Sequence, residues 1–277
     1  MTETAAAGLP VVVTRPLAQA GVLRDRLLAL GRQVEVFPLL EITRLADHAA
    51  LDTALADLRR YALVAFVSPN AIDAALARRP DWPRGVPLAV MGEGSRRALL
   101  AHGIDASSTP IVSPTDPQRT DSQTLLAALD LPALRGREVL ILRGESGREL
   151  LADGLRAAGA IVRQVAAYSR RAPELDAAGW HRLRGLLEHG AEWIITSSEA
   201  LHFLLQMAQT LDGADGHAGA NDGGADASEF VVKLQHQTLI VPHLRIAETA
   251  RALGFYNVIR TGSGDERLLA ALQFRNE

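Results

Sequence analysis

Short runs of apolar and β-branched residues alternate along this chain with longer segments in which apolar residues recur every three or four positions. The first pair is a run at 11–14 and a helical segment with Leu23 and Leu27 on one face, which ends at Gly31. The same pattern predicts further strands at 33–39, 63–68, 87–91, 138–143, 161–168, 193–197, 238–241 and 257–261. Strands that are joined by helices run parallel, so we predict an α/β fold with parallel sheets.

Three stretches of the chain recur in the same order, which indicates an internal repeat. The sequence FVSPNA at 66–71 resembles ITSSEA at 195–200, the strand, turn and helix at 90–103 match 241–254, and LLAAL at 125–129 recurs at 268–272. We therefore predict two similar α/β lobes.

The position of the boundary between the lobes is left open by the repeat itself. One strand-helix-strand unit, 11–39, precedes the first copy, and another, 138–168, precedes the second. If each lobe begins with its own unit, the lobes form a tandem that breaks near 135. The alternative is one lobe inserted within the other.

Composition excludes several classes of protein. The chain has 277 residues, 48% of them hydrophobic, and a net charge of −3, which argues against global disorder and against a strongly basic nucleic-acid-binding protein. It has no cysteine, so disulfides, cysteine-ligated metals and thiol nucleophiles are excluded. No signal-peptide pattern and no apolar run of about 18 residues occur. We expect a cytoplasmic protein with no nucleic-acid or membrane partner.

One segment, 212–228, is low in complexity and consists of Gly, Ala, Asp, Asn and His with a single Ser. Such a composition buries too little apolar surface to offset its ordering entropy, so we predict a disordered loop. A metal-binding tract is the alternative, but His217 is its only histidine.

Common cofactor and catalytic motifs are missing from the sequence. It contains no phosphate-binding G-x-x-x-x-G-K-[ST], no complete dinucleotide fingerprint, no H-E-x-x-H and no G-x-S-x-G. We expect neither a metal nor a cofactor.

Candidate binding residues follow the predicted strands. In open parallel sheets, ligands bind beyond the carboxyl ends of the strands, where helices begin with free N–H groups. Six such loops from two lobes would face one cleft and could hold a large anion. Helix capping is the simpler explanation for each Ser or Thr, and an ordinary surface role for each Arg. The candidates are Thr14, Arg15, Ser68, Asn70, Gly92, Ser95, Arg143, Gly144, Ser197, Ser198, His243, Arg245 and Ile246.

Tyr168 is the candidate catalytic residue. It ends a predicted strand in a chain with only three tyrosines, and its phenol could donate a hydrogen bond to a leaving hydroxyl. The alternative is a tyrosine that only packs between the lobes.

Together these motifs resemble the uroporphyrinogen-III synthase family over nearly the whole chain. The resemblance rests on their order and spacing, since none is specific alone. The motifs are Thr14-Arg15-Pro16, 66–71, Val90-Met91-Gly92 with Ser95, Leu142-Arg143-Gly144 with Arg148 and Glu149, 165–168, 195–198 and Arg245-Ile246-Ala247.

The resemblance implies a fold and an activity. It implies two lobes joined by a two-stranded linker, domain 1 at 1–38 and 170–277 and domain 2 inserted at 39–169. It implies cyclisation of hydroxymethylbilane, a linear tetrapyrrole, to uroporphyrinogen III, with loss of water and inversion of ring D, by a monomer that needs no cofactor.

The resemblance also implies roles for particular residues. Tyr168 matches the family's cleft tyrosine, and Ser68, Ser95 and Ser197 match hydroxyls that line the cleft. Where many members have Gly-x-x-Thr, this chain has 243–246, His-Leu-Arg-Ile, so that hydroxyl is missing. The competing hypothesis is a non-catalytic two-lobed protein that binds a tetrapyrrole or another small anionic ligand.

Overall fold

The structure, a computed structural model, describes residues 8–115, 121–147, 149–216, 228–262 and 264–273. The chain divides into two compact units. Unit 1 comprises Met1–Glu41 and Arg171–Glu277, and unit 2 is Ile42–Arg170. The domain boundaries that the resemblance implied, after residues 38 and 169, lie three residues and one residue before the boundaries of these units.

The described residues form strands and helices that alternate as an α/β fold requires. The strands are β1 Val11–Val13, β2 Val34–Val36, β3 Glu41–Thr43, β4 Leu63–Phe66, β5 Leu88–Val90, β6 Ile111–Val112, β7 Glu138–Gly144, β8 Ile161–Arg171, β9 Glu192–Ile194, β10 Thr238–Val241 and β11 Asn257–Arg260. The helices are α1 Leu17–Ala29, α2 Ala49–Ala56, α3 Pro69–Arg78, α4 Glu93–Ala101, α5 Ser122–Ala128, α6 Leu150–Ala157, α7 Ala177–His189, α8 Ser198–Gly216, α9 Glu229–Gln235, α10 Leu244–Ala252 and α11 Asp265–Gln273.

Unit 1 is built on a sheet with the strand order β11-β10-β9-β1-β2, and its paired strands run parallel. On one face, Val11 and Val13 pack with Ile194 and with residues of α1 and α11. Trp193 is fully buried and contacts Phe37 edge to face, with ring centroids 6.3 Å apart. The predicted parallel sheet is thus present in this unit.

Unit 2 is built on a sheet with the order β3-β8-β7-β4-β5-β6. Its central strand β4 is buried on both faces because alternate side chains point to opposite sides. Val64 and Phe66 pack with residues of α2, α3 and α4, whereas Leu63 and Ala65 pack with residues of α5 and α6. This covering on both faces explains why the strand is a continuous apolar run.

The two sheets share one strand order, which accounts for the internal repeat. The order β2-β1-β9-β10-β11 in unit 1 corresponds to β8-β7-β4-β5-β6 in unit 2. FVSPNA and ITSSEA occupy equivalent junctions, β4 to α3 and β9 to α8. Because β7 pairs with β4, a tandem that breaks near 135 would separate hydrogen-bonded neighbours. The segment 138–168 therefore completes unit 2.

Two strands were not predicted. β3 and β6 lie at the edges of the sheet in unit 2 and span only three and two residues. Length is not the reason, because β1 also spans three residues and was predicted. β1 is a fully buried apolar run, whereas β3 reads Glu-Ile-Thr and the residues of β6 are only partly buried. Hydrogen bonds to a neighbouring strand define β3 and β6 instead.

The predicted disordered loop 212–228 is wrong at its N-terminal end, because α8 continues through Gly216. At the other end, Ser228 is the residue before α9. The carboxylate of Asp212 accepts hydrogen bonds from the N–H groups of Phe230, at 2.7 Å, and Val231, at 3.3 Å. These bonds satisfy N–H groups of the first turn of α9, so the polar composition is compatible with helix here. Residues 217–227, with the candidate metal ligand His217, lie outside the described residues.

Candidate active site

Tyr168 lies near the end of β8 and is only 5% exposed. β8 runs beside β7 with Arg143 opposite Ala166 but Gly144 opposite Tyr168, so β8 carries one extra residue. Such a bulge changes the direction of the side chains that follow. A Cβ atom at Gly144 would lie 3.1 Å from Cζ of Tyr168, so an added side chain would require the ring to move by a few tenths of an ångström.

Ser68 connects this tyrosine to the start of a helix. Its side chain caps α3 by accepting a hydrogen bond from the N–H of Ala71 at 3.2 Å. The same hydroxyl donates to the phenol oxygen of Tyr168 at 3.1 Å. Ser68 is therefore both a helix cap and a partner of Tyr168. Because the phenol oxygen accepts this bond, the phenol proton remains available to a further acceptor.

A cavity of about 340 Å³ in unit 2 is lined by Tyr168 and by Asn70, which lies in the first turn of α3. Part of its wall is apolar and comes from Ile42, Ala74, Ala77 and Ala167. A cavity of this size with an apolar wall and a few polar groups is typical of a small-molecule site.

Four charged or titratable side chains also line this cavity. A carboxylate oxygen of Asp73 lies within hydrogen-bond distance of Nε2 of His102, at 2.9 Å, and Arg78 forms a two-pronged ion pair with Asp52. The other two are Arg44 and His48, and none of the four was predicted. The missing signal for Arg44 was β3, because Arg44 follows the carboxyl end of that strand.

Two further candidates of unit 2 lie at the next helix start. Gly92 caps α4, and its carbonyl accepts from the N–H of Ser95 at 3.1 Å, which places the Ser95 side chain in the buried first turn. A Cβ at Gly94 would lie 3.8 Å from Pro69, so α3 and α4 begin side by side. Their free N–H groups and partial positive charges therefore lie at one edge of the sheet.

Arg143 lies in an internal ion pair. Its side chain is 10% exposed, and its guanidinium donates to Glu149 at 2.6 Å and to the amide oxygen of Gln164 at 2.7 Å. Hydrogen bonds from Gln164 and from Arg143 hold the pKa of Glu149 below its usual value. Arg143 thus already has a carboxylate partner within unit 2. Arg148 lies outside the described residues.

In unit 1, Thr14 and Arg15 likewise have partners within the unit. The hydroxyl of Thr14 is buried and donates to the carbonyl of Ile194 at 2.6 Å, which ties the end of β1 to β9. Arg15 forms a two-pronged ion pair with Asp265, at 2.6 and 3.2 Å, at the start of α11.

Ser197 immediately precedes α8, and Ser198 is its first residue. The hydroxyl of Ser197 accepts from the N–H of Glu199 at 3.2 Å. The hydroxyl of Ser198 lies 3.2 Å from that of Thr249, on α10. Thr249 was not predicted, although it lies only one helical turn after Arg245.

The 243–246 loop also lies in unit 1. His243 precedes α10, and His243 and Arg245 are both exposed. Ile246 is 1% exposed and belongs to the core, so it presents no group to a ligand.

A metal-ligand cluster and a membrane-spanning helix are both absent from the described residues. These residues contain no group of three or more His, Asp or Glu side chains placed to hold a metal ion. In the same ranges, no helix combines the length and apolarity that crossing a membrane requires.

Known proteins resemble the chain over almost its full length. A family model described as uroporphyrinogen-III synthase HemD matches residues 21–260. The chain is 30% identical to the uroporphyrinogen-III synthase of Salmonella typhimurium over 272 residues, covering 96% of this chain and all of that protein. It is 29% identical to that of Escherichia coli over 270 residues, with 96% and 100% covered.

Solved structures share the fold. A mutant uroporphyrinogen III synthase of Thermus thermophilus has a TM-score of 0.58 at 15% identity, with 98% of this chain and 100% of that one covered. Uroporphyrinogen-III synthetase of Helicobacter pylori has a TM-score of 0.58 at 14% identity, with 97% and 100% covered.

Proposed function

The chain belongs to the uroporphyrinogen-III synthase family, and from that premise we propose that it is a cyclising lyase of tetrapyrrole biosynthesis. Its substrate is hydroxymethylbilane, and its product is uroporphyrinogen III. The reaction removes one water molecule and inverts ring D. The alternation of strands and helices, the repeat and the strand-end residues are all consistent with this assignment.

The hydrogen bond between Ser68 and Tyr168 is the observation that carries the mechanism. As the bond between the ring A methylene and its hydroxyl breaks, the oxygen takes the phenol proton of Tyr168 and leaves as water. The electrons of the ring A nitrogen stabilise the resulting azafulvene cation, and Tyr168 is left as a phenolate. The hydrogen bond that Ser68 donates at 3.1 Å stabilises that phenolate.

Ring closure restores the tyrosine. The cation is attacked by the substituted carbon of ring D, which gives a spiro intermediate, and fragmentation and reclosure exchange the position of that ring. The proton released when the final pyrrole becomes aromatic returns to the phenolate, so the enzyme is regenerated. The remaining contribution of the protein is to hold the substrate in a reactive conformation.

The substrate's carboxylates need cationic or N–H partners, and helix starts provide them. α3 and α4 begin side by side at the sheet edge of unit 2, and Asn70 and Ser95 lie in their first turns. We propose Gly92 and Gly144 as close-approach positions and Thr14, Ser197, Ser198, His243 and Arg245 as further substrate contacts. The internal pairing of Arg15 and Arg143 favours a structural role for both.

A coupled assay tests the proposal. Hydroxymethylbilane is generated in situ, the protein is added, and the oxidised products are separated into type I and type III isomers. Type III in excess over the spontaneous type I product supports the synthase. Saturable binding of a tetrapyrrole without turnover would favour the non-catalytic alternative, for which the buried Ile246 in place of a threonine is the supporting observation.

The proposal extends to the protein's state and location. We propose a monomer that acts in the cytoplasm, supported by the family resemblance and by the mixed, weakly acidic charge of the chain. Size-exclusion chromatography with light scattering tests the first part, and cell fractionation tests the second.

A further inference from the structure

Arg44 is a cationic side chain without a partner on the wall of the cavity that Tyr168 lines. It follows β3 and is exposed, and within the described part of the chain it makes no hydrogen bond or ion pair. By contrast, two arginines singled out from the sequence have carboxylate partners. Arg15, which follows β1, is paired with Asp265, and Arg143, near the end of β7, is paired with Glu149.

The other charged side chains on the cavity wall already have partners among the described residues. Asp73 is hydrogen-bonded to His102, and Arg78 is paired with Asp52. His48 adds a second group whose bonding is incomplete, because its Nδ1 atom is buried and has no hydrogen-bond partner among the described residues. Among the described residues, Arg44 is therefore the one guanidinium of the wall without a partner, and its fork of donors fits a carboxylate.

The volume of the cavity limits what it can hold. About 340 Å³ is at the lower end of the range for drug-sized ligands, so it suits one substituted pyrrole ring and not four linked rings. The small side chains of Ala74, Ala77 and Ala167 provide apolar wall area for such a ring. Tyr168 identifies the ring, because its phenol must reach the hydroxyl that leaves ring A.

We infer that Arg44 binds a carboxylate of the pyrrole ring that carries the leaving hydroxyl and so holds this ring beside Tyr168. The inference rests on the proposed function. Arg44 is then a substrate-binding residue of unit 2, and the apolar wall of the cavity supports the ring while the guanidinium fixes its orientation.

The test compares Arg44→Gln with Arg84→Gln. Arg84 is also exposed, lies in unit 2 outside the cavity and makes no hydrogen bond or ion pair in the described part of the chain, so both variants remove one free positive charge. Arg44→Gln should raise KM by roughly tenfold to one-hundredfold with a smaller effect on kcat. Arg44→Lys should recover part of the loss, because it keeps the charge without the fork. Arg84→Gln should behave as the unmodified protein.

A binding measurement separates this inference from the proposed function. Uroporphyrinogen III, kept reduced under anaerobic conditions, is titrated into each protein in a calorimeter. Weaker binding by Arg44→Gln than by Arg84→Gln supports the carboxylate site even if the unmodified protein makes no type III isomer. Equal binding by both variants, or no binding by the unmodified protein, overturns it.

A double variant tests which ring is held. If Arg44 and Tyr168 act on the same ring, the losses in kcat/KM from Arg44→Gln and Tyr168→Phe should be less than additive in the double variant. Additive losses would place the carboxylate on another ring and overturn the assignment to ring A.

Discussion

The hydroxyl of Ser68 donates a hydrogen bond to the phenol oxygen of Tyr168 over 3.1 Å, although the two residues are 100 positions apart. Ser68 ends the loop after β4, and Tyr168 lies near the end of β8, so β7 separates their two strands in the sheet. The same serine caps α3, which fixes its position. The pair thus joins the start of a helix to the proposed proton donor.

Tyr168→Phe should lower kcat by roughly one-hundredfold or more and change KM little. The variant keeps the ring and its packing but removes the proton needed by the leaving hydroxyl, an interaction that matters mainly in the transition state. Steady-state kinetics with the isomer assay measures this. Unchanged turnover would remove Tyr168 from the mechanism.

Ser68→Ala should have two separate effects. Loss of the cap should lower the free energy of unfolding by about 1 kcal/mol, and loss of the bond to Tyr168 should lower kcat by a few-fold to about tenfold. Asp176→Ala is the matched control, because Asp176 caps α7 by accepting from the N–H of Gly179 at 2.7 Å. The control should lose similar stability in urea unfolding and keep full activity. Equal kcat values for the two variants would contradict the proposed role of Ser68.

Gly144→Ala should displace the ring of Tyr168. The added methyl group would lie 3.1 Å from Cζ, closer than van der Waals contact allows, so the ring or the bulge must shift. A misplaced phenol should cost roughly tenfold to one-hundredfold in kcat. Gly21→Ala is the control, since nothing lies within 4 Å of a Cβ at that position in α1. It should slightly stabilise the helix and leave kcat unchanged. Full activity in Gly144→Ala would show that this contact is not needed.

Glu192→Gln should strongly destabilise unit 1. Glu192 and Arg32 form an ion pair in which the side chains are 6% and 7% exposed, and Arg32 also donates to the carbonyls of Leu9 and Leu272. Removing one charge leaves the other buried without compensation, which costs about 3–5 kcal/mol. The exposed pair of Arg26 and Glu266 is the comparison: Arg26→Gln should change the unfolding midpoint little, because solvent screens that pair. Similar midpoints for both variants would show that burial does not set the effect.

Asp212→Ala should lower the free energy of unfolding by about 1 kcal/mol, because the carboxylate bonds two N–H groups in the first turn of α9. Asp212→Asn should lose less, since an amide oxygen still accepts. Deletion of 212–228 should therefore destabilise the protein at least as much as Asp212→Ala. Thermal unfolding of the three variants would detect the order, and a deletion with no effect would contradict it.

The helices, most of the strands and several residues of the candidate site could be predicted from the sequence. The spacing of apolar residues is a local property of the chain, so the helices and the strands with apolar runs could be predicted from it. The internal repeat predicted two lobes with similar folds. Residues at or just after the carboxyl ends of β4, β5, β7 and β8 were candidates because the carboxyl ends of parallel strands meet at one edge. Ser68, Gly144 and Tyr168, which the structure brings together, were all among them.

Only the tertiary structure decided which segments pair, because hydrogen bonds between distant strands leave no mark on the local pattern. The pairing of β7 with β4 places 138–168 in unit 2, and the pairing of the last residues of β7 and β8 sets Gly144 against Tyr168. The same holds for charge. The sequence does not show which arginines have a carboxylate partner. The fold brings Asp265 to Arg15 and Glu149 to Arg143. It leaves Arg44 on a cavity wall without a partner among the described residues.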